Sequence, residues 1–208
     1  MAQFGETVKG YEIPVLNERE VRASAGILLA YIIISVMFAI LKQNFVPLKY
    51  FIVIFLVDFI IRLFVSPRYA PTLILGRLIV RNQNPEYVGA PQKKFAWYIG
   101  LTLAVTMFIL SIVMNSFSMI TGLICLFCQI FLLFESAFGI CLGCIVYHWI
   151  YKEKAKYCPG EVCEVNMKQD IQKTSMLQVF ILIGFIAFVI AVGILFNSYF
   201  VVPSHSLF

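Results

Sequence analysis

Five long apolar runs constrain this chain more than any other feature of its sequence. Four of them, at residues 22–41, 47–65, 95–114 and 176–196, have about the 20 residues that an α-helix needs to cross the hydrocarbon core of a bilayer. Only 13% of the residues are charged and 61% are hydrophobic, whereas a soluble domain carries charge at about 25% of its positions. These values exclude a soluble enzyme, a disordered chain and a disulfide-rich secreted domain. They predict an all-α, polytopic membrane helix bundle.

The fifth run, residues 116–151, is too long for an ordinary span. As one helix it would extend over roughly 54 Å, so it forms either one unusually long fourth helix or two elements broken near Gly139. With five spans, every lysine and arginine except Lys42 and Lys49 falls on one side of the membrane. Since basic residues concentrate on the cytoplasmic side, we expect about five spans, a cytoplasmic amino terminus and an external carboxyl terminus.

This topology divides the chain into four parts. They are a cytoplasmic amino-terminal segment (1–21), a four-helix membrane core (22–151) with a connector (66–94), a cytoplasmic cysteine-containing loop (152–175), and a fifth helix with an external tail (176–208). Asn17 and Glu20 resemble a capping box, which predicts that the first helix begins before the membrane. In the connector, apolar residues alternate with Arg77 and Arg81, which predicts a short interfacial helix on the cytoplasmic leaflet or a surface that docks a partner. Because the net charge of +5 is mostly a topology signal, we expect no nucleic-acid partner.

Ionisable groups inside the membrane are costly and need an explanation. Asp58 and Arg62 stand four residues apart in the second span, so they share a helix face and can pair. They form either an ion pair whose arginine reaches toward the headgroups or an anion or proton site that faces the bundle interior. Glu135 is the third intramembrane charged group, in the fourth apolar run.

All six cysteines lie after residue 124 and form three close pairs: Cys125/Cys128, Cys141/Cys144 and Cys158/Cys163. On a straight helix, the second pair and His148 would form one stripe, with the first pair and Glu135 on a roughly opposite stripe. One straight helix would therefore not focus both stripes on one centre. Disulfide staples are not expected on the cytoplasmic side, where thiols are kept reduced.

Three kinds of cysteine chemistry stay open. The spacing of Cys141, Cys144, Cys158 and Cys163 approaches that of a tetrahedral zinc site. Alternatively, Cys141 and Cys144 cycle as a dithiol, with Cys141 activated if the helix breaks at Gly139. His148 would then act as a general base or as a cation beside the thiolate. The third interpretation is that the cysteines are small core residues.

Two motifs resemble an uncharacterised bacterial membrane family, domain of unknown function 4395. They are Phe-Gly-Ile-Cys-Leu-Gly-Cys at 138–144, followed by Tyr147, and Ala-Pro-Gln-Lys-Lys-Phe-Ala at 90–96, leading to Gly100. The resemblance covers about residues 15–151. It implies a bundle of about four membrane helices in the bacterial cytoplasmic membrane, places the family's paired cysteines at Cys141 and Cys144, and favours thiol chemistry. It implies no established activity, and the 158–163 loop and fifth span lie outside it.

The leading hypothesis is a membrane dithiol protein that performs thiol-disulfide exchange or sulfur transfer. Its catalytic residues would be Cys141, Cys144 and His148, with Cys158 and Cys163 as a resolving or metal-binding pair. Its partner would be a thioredoxin-like or sulfur-carrier protein. A second hypothesis is a transporter for a small sulfur-containing or anionic solute, and it predicts a hydrated cavity that joins the intramembrane polar residues Asp58, Arg62 and Glu135. The third is a non-catalytic accessory subunit of a larger membrane complex.

Overall fold

Long α-helices form where the sequence has its apolar runs. A computed structural model describes residues 4–8, 11, 13–143, 145–146, 174–202 and 205–206. The helices of this part of the chain are α1 (Glu18–Lys42), α2 (Val46–Ile60), α3 (Pro71–Val80), α4 (Ala90–Phe108), α5 (Met119–Leu133) and α6 (Met176–Phe200). Three of them continue into one π-helical turn each: α2 over Ile61–Val65, α4 over Ile109–Val113 and α5 over Phe134–Phe138. A 3₁₀ turn, Pro67–Tyr69, leads from α2 toward α3.

Two small sheets tie loops together at the helix ends. Strand β1 (Val15–Asn17) pairs antiparallel with β2 (Tyr87–Gly89), which fixes the amino-terminal segment to the connector before α4. Strand β3 (Ser116–Phe117) pairs in parallel with β4 (His205–Ser206). These strands are too short for the alternating hydrophobic pattern that would reveal them in a sequence.

Four helices are long and apolar enough to cross a membrane among the residues described: Glu18–Lys42, Ala90–Val113, Met119–Phe138 and Met176–Phe200. Helix α2 with its π turn carries Lys49, Asp58 and Arg62, and all three side chains are buried inside the bundle. The predicted all-α membrane bundle is confirmed. A fifth membrane crossing would have to be made by α2 and its π turn, which carry the three buried charged residues.

The fourth apolar run is not one unusually long helix. Helix α5 and its π turn end at Phe138, and Gly139 adopts a left-handed backbone with φ 66° and ψ 17°. This conformation ends helices and favours glycine, which has no Cβ to clash with the following carbonyl. The alternative of a break at Gly139 is therefore the one that the structure has.

The first helix begins before the apolar run, as the capping residues predict. Asn17 caps α1 by accepting a hydrogen bond from the backbone N–H of Arg19 at 3.3 Å, and its amide donates to Oε1 of Glu20 at 3.0 Å. Helix α4 also begins earlier than expected, at Ala90, with a proline in its first turn. Proline suits that position because its missing N–H would have no helical partner.

The connector contains the expected short helix, but this helix packs into the bundle. Arg77 of α3 is 4% exposed and lies 3.0 Å from Oε2 of Glu20 on α1. Gly76 permits this approach, since a Cβ at that position would lie 2.5 Å from the carbonyl oxygen of Glu20. At least one arginine that was expected to face the leaflet is thus turned toward α1.

Helix α6 docks through polar contacts near both ends. At its start, Nε2 of Gln178 donates to the carbonyl oxygen of Arg68 at 2.8 Å. At its end, Nζ of Lys49 donates to the carbonyl oxygens of Phe200 at 3.3 Å and Val202 at 3.2 Å. Lys49 thereby satisfies carbonyls at the end of α6 that have no partner within the helix. The most apolar window of α6 has no buried residues, as in a helix that faces lipid.

We expect Gly76→Ala to destabilise the bundle by about 1–3 kcal/mol, because the added methyl group must push α3 away from α1. Gly122→Ala is the matched control, since a Cβ at Gly122 meets nothing within 4 Å. Thermal unfolding of both variants in the same detergent, followed by circular dichroism, measures the difference. Equal midpoints for the two variants would show that the contact between α1 and α3 is not tight.

Candidate functional site

The backbone break after α5 is held in place by Arg22 of α1. The Arg22 guanidinium donates from Nε to the carbonyl oxygen of Ser136 at 3.4 Å and from Nη2 to that of Ala137 at 3.2 Å. A Cβ on Gly139 would lie 3.2 Å from Cζ of Arg22, so the guanidinium also covers the left-handed residue. A cation at this position satisfies the last carbonyls of the helix and complements its dipole. Arg22 therefore stabilises the end of α5 and with it the start of the next segment.

The segment after the break is fixed from its other side by α4. Gly143 lies directly against Ala96, so that any Cβ on Gly143 would overlap the Ala96 side chain. Between Gly139 and Gly143, Cys141 is 5% exposed, and Leu142 begins a new helical turn. The two motifs that carry the family resemblance are therefore in contact, and the thiol of Cys141 lies in the segment held between them.

One cavity of about 60 Å³ brings together several residues that the sequence singled out. Its walls include the side chains of Cys128, Glu135, Cys141, Arg62 and Trp97. A straight fourth helix would place Cys128 and Cys141 about 140° apart around its axis. Because the helix breaks at Gly139, both residues instead contribute to the same cavity. A single buried water needs a cavity volume of roughly 10–15 Å³. The cavity is several times larger, so it can hold a molecule of a few heavy atoms.

Arg62 reaches the cavity as part of an ion pair with Asp58, as the spacing of the two residues predicts. Nε of Arg62 donates to Oδ2 of Asp58 at 2.7 Å, and Nη2 donates to the hydroxyls of Ser24 at 2.5 Å and Thr72 at 2.6 Å. Asp58 also accepts from the backbone N–H of Thr72 at 2.9 Å. Asp58 is fully buried and Arg62 is 3% exposed. The arginine therefore faces the bundle interior and does not reach toward the headgroups.

Glu135 is paired with Lys93 of α4. The ammonium group of Lys93 donates to Oε1 of Glu135 and also lies 2.7 Å from Oε2 of Glu18. Lys93 and Glu18 are each 1% exposed, and the guanidinium of Arg22 adds a second positive charge near Glu18. Lys93 thus bridges two carboxylates, and this pairing lowers the cost of burying the three groups.

Both charged residues on the cavity wall lie in π-helical turns. Arg62 belongs to the turn Ile61–Val65 and Glu135 to the turn Phe134–Phe138. A π turn inserts one extra residue into a helix and redirects the side chains that follow, and such turns are frequent at functional sites. Periodicity in the sequence did not reveal them, because a single widened turn hardly changes an apolar pattern.

Other candidate residues lie elsewhere. Asp58 is not on the cavity wall and lies behind Arg62. Cys125 is buried in the bundle core. The remaining candidates lie outside the described residues: Cys144, His148, Cys158 and Cys163. Three of the four proposed zinc ligands are among them, and in the described part of the chain no group of three His, Cys, Asp or Glu side chains is placed to hold a metal ion.

Sequence reasoning missed the roles of Arg22, Lys93 and Glu18. The two basic residues were assigned to topology and anchoring, and Glu18 received no role. The sequence offers one indication of a role for Lys93, because this residue lies inside one of the two motifs that resemble the family. A partner for the intramembrane Glu135 was therefore to be sought there.

Replacing Lys93 by methionine is expected to destabilise the bundle by about 3–5 kcal/mol, because it leaves the buried Glu18 and the partly buried Glu135 without their shared cation. Lys94→Met is the control; Lys94 is half-buried over the Phe4 ring and should cost about 1 kcal/mol or less. Adding Glu135→Gln to the Lys93 variant should recover part of the loss. Thermal midpoints in detergent measure all three variants, and equal losses for the two lysines would contradict the assigned ion pairs.

Replacing Arg22 by alanine should expose Cys141, since the end of α5 loses its cap and the Gly139 turn loses its cover. We expect N-ethylmaleimide to label Cys141 about tenfold faster in Arg22→Ala than in the parent, because local opening controls access to a buried thiol. Arg19→Ala is the control, because Arg19 pairs with the half-exposed Glu86 near the same helix end. Peptide mass spectrometry follows Cys141 itself, and unchanged labelling in Arg22→Ala would rule out this role.

Comparison with family models agrees with the resemblance to domain of unknown function 4395. The family model described as Domain of unknown function (DUF4395) matches residues 16–152. This range contains Arg22, Arg62, Lys93, Glu135 and Cys141, and it leaves out α6. Searches of curated proteins and of solved structures find no match. The chain belongs to the family described as Domain of unknown function (DUF4395).

Proposed function

We propose that the protein is an integral membrane dithiol protein that uses Cys141 and Cys144 in thiol-disulfide exchange or sulfur transfer. One observation carries the proposal: after the break at Gly139, Cys141 lines a cavity that Arg62 and Glu135 also line. A cysteine that served only as filler would need neither the break nor the cavity. Cys125 of α5 shows the contrast, because it is buried in the hydrophobic core of the bundle and does not line this cavity.

Thiol-disulfide exchange requires a thiolate, an accessible sulfur atom and space for the mixed disulfide. The cavity supplies the space. Cys144 follows three positions later in the motif and would close a disulfide with Cys141. His148 would accept or donate the proton, and Cys158 and Cys163 would act as the resolving pair or complete a zinc site.

The proposed setting is the bacterial cytoplasmic membrane, with the amino terminus inside the cell. Most lysines and arginines then lie on the cytoplasmic side. The same topology places the motif near the cytoplasmic face, where a thioredoxin-like protein or a sulfur carrier would exchange electrons or sulfur with it. A transporter is a weaker candidate, because the two charged groups on the cavity wall are already paired with Asp58 and Lys93.

Anaerobic purification followed by thiol counting and metal analysis on one sample separates the interpretations. A cycling dithiol gives two fewer free thiols after mild oxidation and recovers them on reduction. A zinc site gives about one equivalent of zinc, because a structural site holds a single ion. Six free thiols that no mild oxidant changes, without metal, would leave the cysteines as core residues and refute the proposal.

Cys141→Ser and Cys144→Ser are each expected to abolish the reversible disulfide and to shift the thiol redox state of cells that depend on the protein. Serine cannot form a mixed disulfide, so the loss should be complete in either variant. Cys125→Ala is the matched control, since it removes a buried thiol outside the cavity wall. Normal redox state and sulfur use in both serine variants would count against the proposal.

A further inference from the structure

The residues on the wall of the cavity beside Cys141 indicate whether a charged or an uncharged ligand can bind there. Among the residues that the structure describes, its wall contains two charged side chains, Arg62 and Glu135, and the others are largely aliphatic and aromatic, including Leu28, Leu103 and Phe131. The charge selectivity of the site therefore depends on whether either charged group is available to a ligand.

The positive charge of Arg62 is already balanced on its own helix. Its charge is balanced by Asp58 at 2.7 Å, and the two hydroxyls of Ser24 and Thr72 accept from Nη2. Both aromatic neighbours lie over the guanidinium group, with Cζ 4.7 Å from the centre of the Phe59 ring and 5.0 Å from that of Trp97. An anion in the cavity would have to compete with the Asp58 carboxylate for the same cation.

The negative charge of Glu135 is also paired with an opposite charge. Its carboxylate accepts from Lys93, which also neutralises part of Glu18. Each of these two charged groups is thus already paired with an opposite charge. A charged ligand would lose its hydration without gaining a counter-charge, which is the most expensive kind of burial. An uncharged ligand avoids this cost.

We propose that the cavity selects small uncharged sulfur compounds, such as a low-molecular-weight disulfide, and excludes anionic ones of the same size. The proposal rests on the proposed function, because it names the substrate class of Cys141. In the exchange step the Cys141 thiolate attacks one sulfur of the disulfide R–S–S–R. The old S–S bond breaks as the Cys141–S–S–R bond forms, and the leaving thiolate takes up the proton that Cys141 released. No external oxidant is required.

The test compares two thiol reagents that differ in charge: 2-hydroxyethyl methanethiosulfonate, which is neutral, and 2-sulfonatoethyl methanethiosulfonate, which is anionic. Each forms a mixed disulfide with a thiolate and releases methanesulfinate. The full chain is used in detergent, with every cysteine except Cys141 replaced by alanine. The ratio of the two rates is the readout, because the fraction of Cys141 present as thiolate affects both rates equally and cancels.

The matched control is a chain without native cysteines that carries Asn82→Cys at an exposed position in the connector. It measures the same ratio for an open thiol in the same detergent. We expect the neutral-to-anionic ratio at Cys141 to exceed the control ratio by at least about tenfold, since desolvating a charge without a partner is costly. Equal ratios, or no reaction of Cys141 with either reagent, would overturn the proposal. The thiol count and the serine variants test the proposed function separately, because neither depends on the charge of a reagent.

Discussion

Charge compensation in an apolar bundle is the constraint on which the rest of this structure depends. A charged side chain inside a membrane protein is tolerated when an opposite charge or backbone carbonyls pair with it. The buried cations Arg62, Arg77 and Lys93 each have a carboxylate partner, whereas Lys49 donates to carbonyl oxygens. Arg62 pairs with Asp58 on its own helix and reaches hydroxyls on α1 and α3. Lys93 on α4 joins Glu18 on α1 to Glu135 at the end of α5. These pairs define which helix ends come together, because apolar contacts between helices in lipid have no comparable directionality.

Close approach of the backbones makes those pairs possible. Gly76 brings α3 onto α1, and Gly143 brings the segment after the break onto Ala96 of α4. Gly100 allows the Phe59 ring to lie against α4, which also positions that ring over the Arg62 guanidinium. Small residues and ion pairs therefore act at the same contacts. The small residues determine the distance between two helices, and the ion pairs fix their register.

The features that could be predicted from the sequence are local ones. The apolar runs gave the helices, the spacing of four gave the pair of Asp58 and Arg62, and the capping residues gave the start of α1. The features that could not be predicted depend on partners far along the chain, such as Lys93 with Glu135, 42 positions apart. A lysine at the start of a span serves equally well as a topology signal, so nothing local marks it as half of a buried pair. The break at Gly139 stayed open for a related reason, since glycine is common in transmembrane helices that do not break.

That break brings Cys141 to the same cavity as Cys128 and Glu135, which would lie on a different stripe of a straight helix. In a continuous helix the sulfur atoms of Cys128 and Cys141 would face different neighbours. The left-handed backbone of Gly139 reverses this, and its conformation is covered and capped by Arg22 from α1. The chemical environment of Cys141 is thus set by a backbone dihedral and by a cation on another helix, and not by the residues beside it in the sequence. A cysteine pair in a membrane helix can therefore be interpreted only after the backbone between it and the preceding span is known.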